Sequence, residues 1–155
     1  MMRTYHDEEF GRKKHSDPAL FEKLCLEMFQ AGLSWRTVLH KREAFRGVFG
    51  GFEPRKVAEM SDGDVDRLMA DARIIRNRRK IEAVIHNARL LCNQFGSEGS
   101  FLNYVYGFDD AAALQKDLKK RGFRFAGLTV CESFLGSVGA IEAHEPGCDL
   151  YGRDN

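Results

Sequence analysis

Glu27 and Trp35, the only tryptophan of the chain, bracket the stretch EMFQAGLSW and flank an Ala31-Gly32 break. Helical spacing puts Glu27 on one face with Leu20, Leu24 and Ala31, so the carboxylate stands among apolar neighbours. Taken singly, the acid suits the rim of an amphipathic helix and the indole suits core filling. Lining one cavity together with Tyr5, they would set an anionic acceptor beside aromatic faces. That combination recognises a flat, electron-poor or cationic ring.

A second constellation is basic. Residues 73–80, RIIRNRRK, hold five cations and no acid, and residues 116–124, KDLKKRGFR, hold five cations against Asp117. DARIIRNRRKIEAVI joins a short helix to a long one through a tight connection, the layout of a helix-hairpin-helix at about 62–92. Such a turn aims backbone N–H groups and a helix N-terminus at a phosphate, while nearby cations neutralise its charge. Arg76, Asn77, Arg78 and Lys80 are the candidate contacts; a solvated helix surface is the competing reading of either cluster. Lys80 is also the obvious amine for Schiff-base chemistry, although phosphate contact is the simpler role. Arg73 and Arg79 stand where a tight hairpin favours a residue without Cβ.

Third, His6, His144 and Cys148 form a possible metal set. The H-x3-C spacing of His144 and Cys148 is usable for zinc, and a distant His6 would tie the N-terminus to the irregular tail EAHEPGCDLYGRDN. A structural zinc takes four ligands as a rule, and no cysteine precedes His6. Surface and packing roles are the competing reading. No Ser-His-Asp order, P-loop or HExxH occurs.

The elements that must position these residues read as helices. Asp17-Pro18 opens one that runs to Gly32; Ser34 caps a second, WRTVLHKREAFRGVF, stopped by Gly50-Gly51. Pro54 starts a third, and Ser61 with Asp64 makes a capping box for a fourth ending near Ala70. A long apolar face runs from Ile81 to Leu91, with further helices at 98–106, 110–121 and 127–138. There is no period-two run of strand length and no repeat, so the fold is expected to be all-α, one globular domain over residues 1–155. The chain has 155 residues, 43% hydrophobic and 30% charged, with formal net charge +1. It lacks an apolar run of about 20 residues and an N-terminal apolar stretch of secretory type, which points to the cytoplasm and away from membranes. Scattered cysteines without a CxxC pair suit reduced thiols.

Taken in order, these blocks resemble the DNA-3-methyladenine glycosylase I family of the helix-hairpin-helix superfamily. YHDEEFG (Tyr5 to Gly11) is similar to the family's YHDxEWG, and LFEKLCLEMFQAGLSWRTVLHKRE to its QAGLSW block. IIRNRRKIEAVIHNAR, LKKRGFRFAGLTVCESF and the closing H-x-x-x-C agree in order and spacing. The resemblance covers nearly the whole chain. It implies base-excision repair: a flipped 3-methyladenine is hydrolysed from alkylated double-stranded DNA, leaving an abasic site. It gives Trp35 the role of stacking on the base, Glu27 that of accepting hydrogen bonds from its edge, and Tyr5 that of closing the pocket, with Ser133 at a further pocket position. It implies a monofunctional hydrolase without covalent intermediate, and a structural zinc on His6, His144 and Cys148 whose fourth ligand is not evident.

The chain also departs from the pattern. Phe10 replaces a Trp, Arg73 a hairpin Gly, Glu132 a Tyr and Gly136 a Gln, and the stretch between Phe108 and Leu118 is much shorter. A non-catalytic DNA-binding descendant and a small zinc-stabilised interaction protein are the readings from other classes. No protein partner is implied.

Overall fold

The structure, a computed structural model, describes residues 16–30 and 34–140, without the Trp35 side chain. Tyr5, His6, His144 and Cys148 therefore lie outside the described residues. Nine α-helices run through the described part: α1 (Asp17–Gln30), α2 (Trp35–His40), α3 (Arg42–Val48), α4 (Pro54–Ala58), α5 (Asp62–Met69), α6 (Arg78–Gln94), α7 (Ser100–Tyr106), α8 (Ala111–Arg121) and α9 (Leu128–Ser137). A 3-10 turn, Gly50–Phe52, links α3 to α4, and no strand occurs among the described residues. The all-α expectation holds.

The helix at the centre is α1. An amphipathic surface helix buries one stripe, but from Leu20 to Phe29 every side chain of α1 except Glu22 is buried. The cause is its neighbours: α2, α6, α7, α9 and the 3-10 turn all pack on it. Phe21, Phe52, Phe49, Phe45 and Phe29 form a continuous aromatic run beside it, with successive ring centroids 6.3, 5.5, 6.3 and 4.8 Å apart. Gly50 and Gly51 make the sharp turn with φ of +58° and +69°, and Phe52 follows in the same left-handed region at +59°. For a bulky residue that backbone is strained, and burial of its ring against Phe21 and Phe49 holds it there.

Two local expectations change. The second helix is broken at Lys41 into α2 and α3, although Val38, Phe45 and Phe49 keep a helical spacing across the break. Neither Gly nor Pro turns the chain here. Tertiary anchors do: Arg46 of α3 forks onto Glu22 of α1 at 2.5 and 3.3 Å, and Phe45 rests on Phe29. Asp17, expected to cap its own helix, leaves that to Ser16, whose hydroxyl oxygen accepts the Ala19 N–H at 3.3 Å. The Asp17 carboxylate instead accepts the N–H groups of Gly99 (3.1 Å) and Leu102 (2.9 Å) at the start of α7. Gly99 has no side chain to do so.

From there α7 pins the far end of α9, because the Tyr106 hydroxyl donates to the Val138 carbonyl at 2.7 Å. The α7–α8 connection is only residues 107–110, and Asp110 caps α8 through the Ala112 N–H. Tyr104 and Arg121 both donate to Asp117, and the Arg121 guanidinium lies over the rings of Phe95 and Tyr104 at 4.9 and 4.8 Å. Asp17→Ala is expected to destabilise the fold by about 1–2 kcal/mol, since it orphans two helix-start donors. A urea melt with unchanged slope checks it.

Candidate active site

Because α1 is enclosed, Glu27 is taken out of water, to 2% exposure. The rim position open to it in the sequence is excluded. Its Oε1 has no hydrogen-bond partner among the described residues, while its Oε2 stands 4.0 Å from the Lys23 ammonium one turn earlier. Burial pushes the carboxyl up to about 7, opposed by the Lys23 charge and by a hydrogen bond from Ser137. Buried acceptors are nearly always satisfied, so Oε1 can take a donor from beyond the described residues.

The partner helix is α9. Ser137 in its last turn is 1% exposed and lies close enough to act on Glu27; its hydroxyl, 3.0 Å from the Phe134 carbonyl, has a single proton to give, to that carbonyl or to the carboxylate. Ser133, the expected pocket serine, is half-buried one turn earlier on the same face. Sequence reasoning missed Ser137, and nothing local could have supplied it, since the contact joins helices more than a hundred residues apart. Lys23 was also missed, although helical spacing from Glu27 points to it. Trp35 is the first residue of α2, directly after Ser34, whose hydroxyl oxygen accepts the Thr37 N–H at 3.3 Å.

Along the basic segment α5 and α6 are joined through residues 70–77. Asn77 caps α6 by accepting the Lys80 N–H at 3.1 Å. By helix geometry the Arg78 and Arg79 amides lack an intrahelical acceptor. Arg76 is exposed, and Arg78 pairs with Asp66 of α5 at 2.6 Å and with Glu82 at 3.9 Å. Lys80 is half-buried, and burial holds its amine below the ordinary lysine range. The missing hairpin glycine is no obstacle, because among the described residues only Phe52 and Phe125 are non-glycine residues with positive φ. Arg73 lies outside that region and folds back on Asp71, which accepts from its backbone N–H and guanidinium at 2.9 and 2.7 Å.

The hairpin turn also touches the helix that begins with Trp35. Lys41 donates to the Ala72 carbonyl at 3.5 Å, and Thr37, His40, Lys41 and Arg73 line an open groove of about 750 Å³ between them. Among the described residues no group of three or more His, Cys, Asp or Glu is placed to hold a metal, and Cys25, Cys92 and Cys131 are free thiols.

The folded state keeps the Glu27 proton up to about pH 7, whereas an ordinary glutamate releases it near 4.5. The folded chain thus binds more protons across that window, so stability falls as pH rises through it and levels off above. Expected cost of the ionised acid at pH 8 is roughly 3 kcal/mol. Glu27→Gln should remove the slope between pH 5 and 7 and raise stability at pH 8 by up to that amount, read by melts across pH.

Known proteins share this architecture. The model of the methyladenine glycosylase family matches residues 1–113 and 109–151. DNA-3-methyladenine glycosylase 1 of Escherichia coli (strain K12) is 42% identical over 96% of this chain and 90% of its own length. That alignment runs over 168 positions against 155 residues here, so this chain carries gaps. The two family matches meet at residues 109–113, at the short α7–α8 connection. A crystal structure of 3-methyladenine DNA glycosylase I superposes with a TM-score of 0.86 at 40% identity, covering 96% of this chain and 93% of the other. The Staphylococcus aureus 3-methyladenine DNA glycosylase I, whose structure addresses 3-methyladenine recognition, gives 0.83 at 37% identity over 99% and 92%. With the family model matched along the chain and the helical architecture shared, this chain belongs to the methyladenine glycosylase family, of which it is a shortened member.

Proposed function

We propose that the protein hydrolyses the N-glycosidic bond of 3-methyladenine in alkylated double-stranded DNA, leaving an abasic site, and that Glu27 reads the flipped base. The observation that carries this is the dry Glu27 carboxylate with an open Oε1. The exocyclic amine of adenine is a donor that this oxygen can accept, and methylation at N3 makes the base a cation. A buried anion therefore prefers the lesion to normal adenine. Trp35 supplies the stacking face and Tyr5 closes the pocket, with Ser133 and Ser137 along one edge.

The chemistry demands little acid catalysis. As the bond between C1′ and N9 breaks, its electron pair leaves with the base, which departs neutral. Water adds its oxygen to C1′ and gives its surplus proton to solvent. Binding and orientation then supply most of the rate, and flipping costs a few kcal/mol that stacking and edge contacts repay. In the hairpin, the Arg78 and Arg79 amides with Arg76, Asn77, Arg78 and Lys80 receive a backbone phosphate, and the Arg78–Asp66 pair exchanges for it. His6, His144 and Cys148 would hold a structural zinc: two imidazoles and a thiolate are donors of the right softness, and the ion would join the two chain ends.

Release of bases from methylated duplex DNA tests the reading, and no 3-methyladenine above the spontaneous rate overturns it in favour of a non-catalytic DNA-binding protein. Glu27→Gln is expected to slow release by roughly 100-fold while DNA affinity stays within about threefold. Arg78→Ala is expected to do the reverse, weakening DNA binding by roughly fivefold and lowering the salt slope by about 1. Protein purified without chelator should carry about one zinc per chain, and His144→Ala should lose it along with stability.

A further inference from the structure

Glu27 is not the only charge inside α1. Lys23 is 5% exposed, with its ammonium 4.0 Å from Glu27 Oε2. A lysine four residues before a glutamate is the weaker order for a helix, and burying both ions costs more than an apolar pair would. Helix stability therefore does not explain the pair. Both polar groups that meet the carboxylate, Lys23 from its own helix and Ser137 from α9, leave Oε1 open.

We propose that Lys23 and Ser137 are positioning residues for base recognition: they engage Glu27 away from Oε1, so that Oε1 faces the lesion as a fixed acceptor. This rests on the reading of Glu27 as the base-reading acid. Among the described residues Lys23 is the charged group acting on Glu27, and the Ser137 hydroxyl is the polar group reaching it from a packed helix. From α6, the Asn87 amide is engaged elsewhere, with Met28 and the Arg124 backbone, and α2, α7 and the 3-10 turn bring no charge to it. Without the ammonium the acid would hold its proton to still higher pH and present a donor or a neutral oxygen to a cationic base. The ammonium also tempers the attraction for any cation, so that geometry as well as charge selects the base.

The test is the pH profile of single-turnover 3-methyladenine release, with the ¹³C-carboxyl titration of Glu27 as a readout independent of activity. Lys23→Met is expected to move the acid limb and the titration upward by about one unit, which lowers release about tenfold on the acid side and lets it recover at high pH. Lys23→Arg should return both toward the wild-type position. Ser137→Ala should move both the same way by less, and it decides the matter if Lys23→Met does not fold. A limb and titration unmoved by these variants, while Glu27→Gln abolishes release, overturns the positioning role alone. Full release by Glu27→Gln instead overturns the underlying reading of Glu27.

Discussion

A carboxylate enclosed on every side is the constraint around which the molecule is organised. In water an acid costs nothing to ionise; inside a packed helical core it must be held by a charge, a hydrogen bond, or both. Here the fold supplies a lysine one turn away and a serine from a facing helix, yet leaves one oxygen open. Such a centre opposes stability, and the aromatic run along α1 supplies the packing that tolerates it.

The surface charges obey a different physics. Arg78 with Asp66, Arg73 with Asp71 and Arg67 with Asp64 are exposed pairs within the hairpin, each worth little in water and readily exchanged. They keep a dense basic segment from repelling itself. Charge is thus handled in two ways, by exchangeable surface pairs at the hairpin and by burial beside Lys23 in the core.

The parts of this architecture set by nearest neighbours were legible in the sequence. The Ser61–Asp64 box, the Ser34 cap and the Gly50-Gly51 stop each depend on residues within one turn, so local spacing reveals them. The break at Lys41 was not legible, because the apolar period runs through it and anchors on another helix make it. Asp17 shows the limit more sharply. Its residue type announces a cap, and it is one, but for α7, more than eighty residues away. At the site, Glu27 and Trp35 stood out by type, and Lys23 lay within reach of the same spacing argument. Ser137 needed the packing of α9 on α1, which no periodicity encodes.

The Asp17 cap has a wider meaning. It joins the start of α1 to α7; the Tyr106 hydroxyl joins α7 to the end of α9; and α9 returns Ser137 to Glu27 on α1. The circuit begins and ends on the same helix, so the acid is surveyed from its own axis rather than from the periphery. Connections that lie outside the circuit can be trimmed without disturbing its closure, and the shortened α7–α8 link is one of them. A buried acid referenced to its own helix in this way tolerates erosion at the borders of the fold, and that gives a physical route by which a family fold can shrink while its centre stays in alignment.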